Sequence, residues 1–391
     1  MALKRHDAVA SVVVVLLAGC MTQAHELDRS ANVAVQSDAL IGGFEANSPK
    51  LNAVGSLSRL RKSEISDDAG VGEDEPALDL TMECSGSLLN DRTVLTAKHC
   101  TAAFATAGRT ESNLVFALGP DAMHPTAYST VIAFDEAPGD SQGFTGHGHD
   151  VAVMHLQTPL EGAPTVKVGG LENANIGQGF AGIGYGLSDN NDTSEKRRIG
   201  GLTLRALEGR TYELLLGSFE AYFRENRGIE VPVECVNPTP EAAATDLCKL
   251  VETDRKTYES TMLEQAGDML LSGDGGSQPC FGDSGGPLLR ANDAGELVAY
   301  GVVSGGLGSD DLRCDRGAIY ARLTPDVLTF LEQSLAWTDP CADVPVLGEC
   351  TESRARRCST LSEGRRRVVE VDCATLGMRC VQSRRETVSC Q

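Results

Sequence analysis

The chain of 391 residues carries 55 acidic against 34 basic side chains, a formal charge of −21. That charge argues against nucleic acid as a partner and favours a soluble, self-repelling surface, while the length allows two domains or more with ample core. Forty-two glycines and short apolar runs such as Val298-Ala299-Tyr300-Gly301-Val302-Val303 predict many strands and turns and few helices, an all-β class.

The chain opens on an address rather than a fold. Lys4, Arg5 and His6 precede an apolar run, Ala8 to Ala18, that is too short to span a bilayer. The run ends Leu17-Ala18-Gly19-Cys20, which resembles a bacterial lipobox. There small residues admit a signal peptidase and the Cys20 thiol receives lipid, so the membrane is met only through that anchor. Ordinary secretion, with cleavage after Thr22-Gln23-Ala24, is the alternative. Met21 after the cysteine is similar to lipoproteins sorted to an outer membrane. The precursor is therefore expected in the cell envelope, or outside the cell once cleaved. Residues 1–20 are read as the signal and 21–39 as a propeptide linker. Thirteen cysteines fit export, and without Cys20 an even set of 12 remains for disulfides.

Arg61 to Asp79 reads as an insertion dense in Asp and Glu, with Gly70 and Gly72. A solvated loop accounts for it, with a calcium loop as the alternative. Leu95-Thr96-Ala97-Lys98-His99-Cys100 then places an imidazole after a strand-like run, and His149-Asp150-Val151-Ala152-Val153-Met154 places a carboxylate before one. His147, His149 and His155 cluster near Asp150, but the Gly-His-Gly-His spacing lies on a loop; a metal site is the weaker reading, and no cofactor is expected. Further on comes Cys280-Phe281-Gly282-Asp283-Ser284-Gly285-Gly286-Pro287-Leu288, in which glycines let a substrate carbonyl approach the backbone around a serine. A hydroxyl near its free pKa is a poor nucleophile, so a working Ser284 needs a base and an orienting carboxylate, and His99 and Asp150 supply both types.

These segments, in His, Asp, Ser order, resemble the trypsin/chymotrypsin family of serine endopeptidases from about Leu40 to Trp337. The resemblance implies two packed antiparallel β-barrels with a C-terminal helix, here Pro325 to Ala336, in a protease domain over residues 40–338. It implies that His99, Asp150 and Ser284 form the triad, that the N–H groups of Gly282 and Ser284 form the oxyanion hole, and that the substrates are proteins or peptides. Leu40-Ile41-Gly42-Gly43 resembles the family's mature start. An activating protease would cut between Ala39 and Leu40, and the new α-amino group of Leu40 would pair with Asp283. The missing basic residue before that cut makes a trypsin-like activator unsuitable. By the same resemblance Cys84 bridges Cys100 and Cys280 bridges Cys314. Cys235 and Cys248, in a segment longer than the family's, are expected to pair with each other.

Departures from the family bear on specificity. Gln278 stands at the base of the primary pocket, where the trypsin branch has an aspartate, and Ser304, Gly306 and Ala318 map to its walls. With no charge there, neutral and apolar residues are expected before the scissile bond. Lys98 replaces a small residue beside His99. A second insertion, roughly Arg210 to Gln265, holds helix-like pieces such as Tyr212 to Arg227. After Pro340 the chain changes character: residues 341–391 hold six cysteines and nine arginines against seven acids. So small a segment needs stapling. It reads as a disulfide module for an anionic envelope component, or as a folding cap. The rival function is a non-catalytic surface-binding lipoprotein that keeps a protease-like scaffold.

Overall fold

The computed structural model describes residues 43–61, 80–104, 112–140, 149–189, 192–193, 195–263, 267–273, 277–306, 314, 317–361, 364–382 and 387–391. Six strands close a first barrel: β1 (Val54–Arg61), β2 (Leu80–Leu88), β3 (Thr93–Thr96), β4 (Ser112–Leu118), β5 (Ala127–Glu136) and β6 (Ala152–Leu156). Antiparallel pairing runs β1-β2-β3-β6-β5-β4 and returns to β1. A second set comprises β7 (Gly179–Gly184), β8 (Arg198–Ala206), β9 (Asp268–Gly273), β10 (Pro287–Ala291), β11 (Leu297–Gly306) and β12 (Ala318–Arg322). Its pairing, β7-β8-β9-β12-β11-β10 and back to β7, repeats the first order strand for strand.

Closure leaves each barrel an inside that apolar side chains mostly fill. Leu57, Leu88, Leu95, Phe116 and Met154 are fully buried in and around the first barrel. Leu202, Leu204, Met269, Leu271 and Tyr320 are fully buried in the second. Each such side chain contributes about 1.5–3 kcal/mol on burial, and closure also removes exposed sheet edges.

The C-terminal helix α5 (Pro325–Leu335) ends one residue short of the expected Ala336. Thr324 caps it by accepting from the Val327 N–H, Pro325 occupies its first turn, and Val327, Leu331 and Ser334 face inward at helical spacing. Just beyond it Trp337 stacks on the buried ring of His155, centroids 4.1 Å apart. Between β8 and β9 lie four helices, α1 (Thr211–Leu216), α2 (Phe219–Arg227), α3 (Pro240–Ala243) and α4 (Asp246–Ser260). The piece expected from Tyr212 to Arg227 is therefore two helices, parted at Gly217, whose φ of 80° no regular helix accommodates. Phe219, Tyr222, Phe223, Val251 and Tyr258 give this insertion its own small core. A Cys235–Cys248 disulfide and the bidentate Arg227–Asp254 pair, both contacts 2.8 Å, close it.

The C-terminal segment forms a three-stranded sheet, β13 (Glu349–Thr351), β14 (Arg354–Thr360) and β15 (Arg366–Asp372). Its core is little more than Ala355, Cys373 and Val388, and three disulfides do the stapling: Cys341–Cys358, Cys350–Cys380 and Cys373–Cys390. The hairpin turn meets the first barrel where the Phe134 N–H donates to the Gly364 carbonyl at 3.4 Å.

One buried cation organises the start of the described chain. The Arg197 guanidinium, with no solvent exposure, donates to the carbonyls of Ala46 and Leu51 at 2.9 Å, of Val54 at 3.3 Å and of Ser48 at 3.4 Å, and to Asn52 Oδ1 at 3.0 Å. It thereby gathers residues 46–54 onto the start of β8. Arg197→Leu would strand these acceptors, and the loss of stability should reach at least about 3 kcal/mol. Chemical denaturation of the purified chain checks this; a loss under about 1 kcal/mol would show that water replaces the guanidinium.

Candidate active site

Register brings the candidate base and carboxylate together. Thr96 pairs with Ala152 where β3 runs against β6, so His99, three residues beyond Thr96, and Asp150, two before Ala152, leave the first barrel at the same end. The turn of 3₁₀ helix at Lys98–Cys100 and the Cys84–Cys100 disulfide hold His99 there. Asp150 is fully buried and accepts from three donors: the His99 backbone N–H at 2.9 Å, His99 Nδ1 at 2.7 Å and the Ser304 hydroxyl at 2.5 Å. Nδ1 is thereby fixed as the protonated nitrogen, leaving Nε2 as the basic one.

Ser304 was expected only as a pocket wall, yet its hydroxyl lies on Asp150. The register of β11 against β12 slips between Val303 and Gly305, and this bulge at Ser304 re-aims its side chain. No sequence pattern announces a bulge of that kind. Gly306 pairs directly with Ala318, so these two wall positions stand side by side. Gln278 is buried, and its Oε1 has no hydrogen-bond partner among the described residues. The structure holds Cys280–Cys314 behind this region.

The turn carrying Ser284 is pinned peptide by peptide. The Phe281 carbonyl accepts from the Leu187 N–H at 2.9 Å, and the Asp283 carbonyl from the Gly286 N–H at 2.8 Å. A trans peptide points its N–H opposite to its carbonyl, so the N–H groups of Gly282 and Ser284 are turned away from those anchors. Gly285, at φ 76°, lies against the first barrel so closely that any Cβ would collide with Thr96 and with the Ser85 carbonyl. The serine turn thus docks on the segment that leads into His99.

Asp283 sits wholly inside. Its carboxylate accepts from the N–H groups of Gly186 at 2.8 Å and Cys280 at 2.9 Å, and a Cβ on Gly184 or Gly186 would strike it. Burial pushes its carboxyl up to about 7, against the pull of those two N–H groups and of the Arg198 cation. Leu40, its expected partner, lies outside the described residues, as does His147. Lys98 donates to the Gly139 carbonyl at 2.7 Å; burial lowers its ammonium pKa while Glu136, Asp150 and Asp140 pull the other way. His155, expected in a cluster with His149, belongs instead to β6 and is held by Asp135 at 3.0 Å and by Trp337. Among the described residues, the one group spaced for a metal is Cys84, His99 and Cys100, and its two sulfurs are joined as a disulfide.

A family model described as Trypsin matches residues 72–210 and 246–329. The chain belongs to the trypsin family, whose members are serine proteases. The break between the matched stretches falls on the helical insertion after β8.

The Asp283 environment has a consequence for stability. Between 3.8 and about 7 the folded, uncleaved chain holds a proton on Asp283 that the unfolded chain has lost. This contribution is fully present below the unfolded value and fades as the pH rises through the folded one. Relative to Asp283→Asn, the uncleaved chain should therefore be less stable at about pH 7.5 than at about pH 4.5. Paired thermal melts of the two proteins read the difference; a gap between them that does not change with pH would overturn the assignment.

Proposed function

We propose that the chain is an exported serine endopeptidase, made as a zymogen, in which His99, Asp150 and Ser284 act as a triad. The observation that carries this reading is the fully buried Asp150 carboxylate bonded to His99 Nδ1 at 2.7 Å, at the barrel end on which the Ser284 turn docks. In this reading Ser284 Oγ attacks the scissile carbonyl and its proton passes to His99 Nε2. Asp150 holds the imidazole in the required tautomer and stabilises the imidazolium. The negative charge developing on the carbonyl oxygen is met by the N–H groups of Gly282 and Ser284, already oriented by their anchored peptides. The proton on Nε2 then leaves with the amine, and water repeats the sequence on the acyl-enzyme.

Zymogen activation by an ion pair between Leu40 and Asp283 is supported by strand neighbours. Glu45 pairs with Arg198, Arg198 pairs with Gly184, and Gly184 abuts the Asp283 carboxylate. A new α-amino group five residues before Glu45 would supply the charge that this buried carboxylate attracts. Neutral Gln278 at the pocket base favours neutral, moderate-sized apolar residues before the scissile bond, because a buried substrate cation would meet no charge from that side chain. Labelling with a fluorophosphonate after cleavage before Leu40 should modify Ser284. Ser284→Ala should lose on the order of 10⁶ in turnover. A cleavage profile should favour Leu, Met or Ala over Arg. Absence of label in correctly processed protein would support the non-catalytic scaffold instead.

The N-terminal segment adds a location. With lipid on Cys20 and no cysteine from Met21 to Ala39, nothing covalent would hold the processed enzyme to its anchor. Activation would then also be release, apart from charge attraction through the C-terminal module, where Arg357 and Arg367 are exposed on one face of the β14–β15 hairpin. Cell fractionation with N-terminal sequencing tests this. Active enzyme starting at Leu40 should be soluble, or should come off membranes in high salt as that attraction is screened. Active enzyme still joined to acylated Cys20 would contradict it.

A further inference from the structure

Ser85, on β2 of the first barrel, is fully buried and touches the serine turn of the second barrel in two places. Its N–H donates to the Ser284 carbonyl at 2.8 Å. Its hydroxyl donates to the Gly282 carbonyl at 2.8 Å and accepts from the Tyr185 N–H at 3.1 Å. Its own carbonyl is held by the Thr96 hydroxyl at 2.9 Å, three residues before His99. One residue therefore spans the segment leading to the candidate base, the peptide after Gly282 and the peptide after Ser284.

We propose that Ser85 is a positioning residue for the oxyanion donors: its hydroxyl fixes the Gly282–Asp283 peptide, and with it the direction of the Gly282 N–H. The proposal rests on the reading of Ser284 as nucleophile and of Gly282 and Ser284 as the hole. The Gly282 N–H belongs to the preceding peptide, whose Phe281 carbonyl accepts from the Leu187 N–H. Gly282 itself stands at φ 95°, a conformation that a glycine can leave at little cost. On the far side of that residue the Gly282–Asp283 peptide is held at both ends, its N–H on the Cys280 carbonyl at 3.0 Å and its carbonyl by the Ser85 hydroxyl. The latter completes the closure of this freedom. Donors that are already aimed cost no reorganisation when charge develops, which is where such a hole gains its advantage.

Two substitutions separate positioning from mere stability. Ser85→Ala leaves the Tyr185 N–H and the Gly282 carbonyl without the hydroxyl and keeps the Cβ in place, so the gap left by the single oxygen is too small for a water. Ser85→Gly vacates roughly the volume of a water molecule between the same two polar groups, which a water can bridge. Glycine in a strand nonetheless weakens the fold relative to alanine. The expected order for kcat is wild type, then Gly, then Ala, whereas the expected order for stability is wild type, then Ala, then Gly. For Ser85→Ala the fall in kcat should be about tenfold, the effect of one lost hydrogen bond, with KM changed less than about twofold.

The full chain carrying each substitution, processed before Leu40 as the wild type is, would be assayed with a peptide substrate drawn from the cleavage profile. Affinity for a peptide aldehyde, which forms an oxyanion on Ser284, should fall in step with kcat, while affinity for the matching peptide alcohol, which forms none, should hold. The inference is overturned if Ser85→Ala keeps wild-type kcat and aldehyde affinity. It is equally overturned if Ser85→Gly falls below Ser85→Ala in kcat, following the order of stability. Ser284→Ala in the same series keeps the two readings apart: turnover surviving there would defeat the nucleophile assignment itself, not the role of Ser85.

Discussion

A carboxylate with no access to water governs how this molecule is put together. Asp150 is accommodated in the interior because donors from both barrels converge on it: His99 from the first, by backbone and ring, and Ser304 from the second. An ionised carboxylate buried without such partners would be prohibitively costly, so the junction of the barrels cannot shift without exposing or orphaning it. The same demand that stabilises the charge orients the imidazole. In this protein the chemistry proposed for the site and the packing of the two barrels are one arrangement.

Around that charge the barrels are stitched by polar groups rather than by apolar contact alone. Ser85 reaches across to the serine turn, and the Tyr185 hydroxyl reaches back to the Val54 carbonyl at 3.1 Å. Burial pushes that phenol up to about 12, with the Arg197 cation opposing the shift, so it remains a neutral donor across the physiological range. Arg197 in turn gathers residues 46–54 against β8, leading the chain back towards Asp283. A path of buried hydrogen bonds thus runs from the start of the described chain to the turn that carries Ser284.

The additions to the double barrel solve their own stability problems separately. The helical insertion has an aromatic cluster, a disulfide and a paired Arg227–Asp254, and the C-terminal segment has three disulfides around a minimal core. The insertion adds contacts of Tyr212 and Leu215 with Ala206, Leu270 and Ile319 of the second barrel, but each addition also has a core of its own. Sequence outside the catalytic scaffold can accumulate in this way without disturbing the packing at Asp150.

Much of the candidate site was legible in the chain itself. His99, Asp150 and Ser284 each sit in a short local pattern, a strand edge beside a chemically distinctive residue, and local patterns survive in a linear sequence. The C-terminal helix was equally legible because its cap, its proline and its apolar spacing are all local. The split of α1 from α2 turned on one left-handed glycine, Gly217, whose conformation the residues around it do not dictate. Ser304 on Asp150 and Ser85 on Gly282 were invisible for a different reason. Each joins residues more than 150 positions apart, 154 and 197, and each depends on a bulge or a barrel junction that exists only once the strands have paired. Which residue types could do chemistry was determined by the sequence. Which hydroxyl turns inward to hold them was decided by the tertiary structure, because a serine's role is set by the donors and acceptors that folding brings within 3 Å of it.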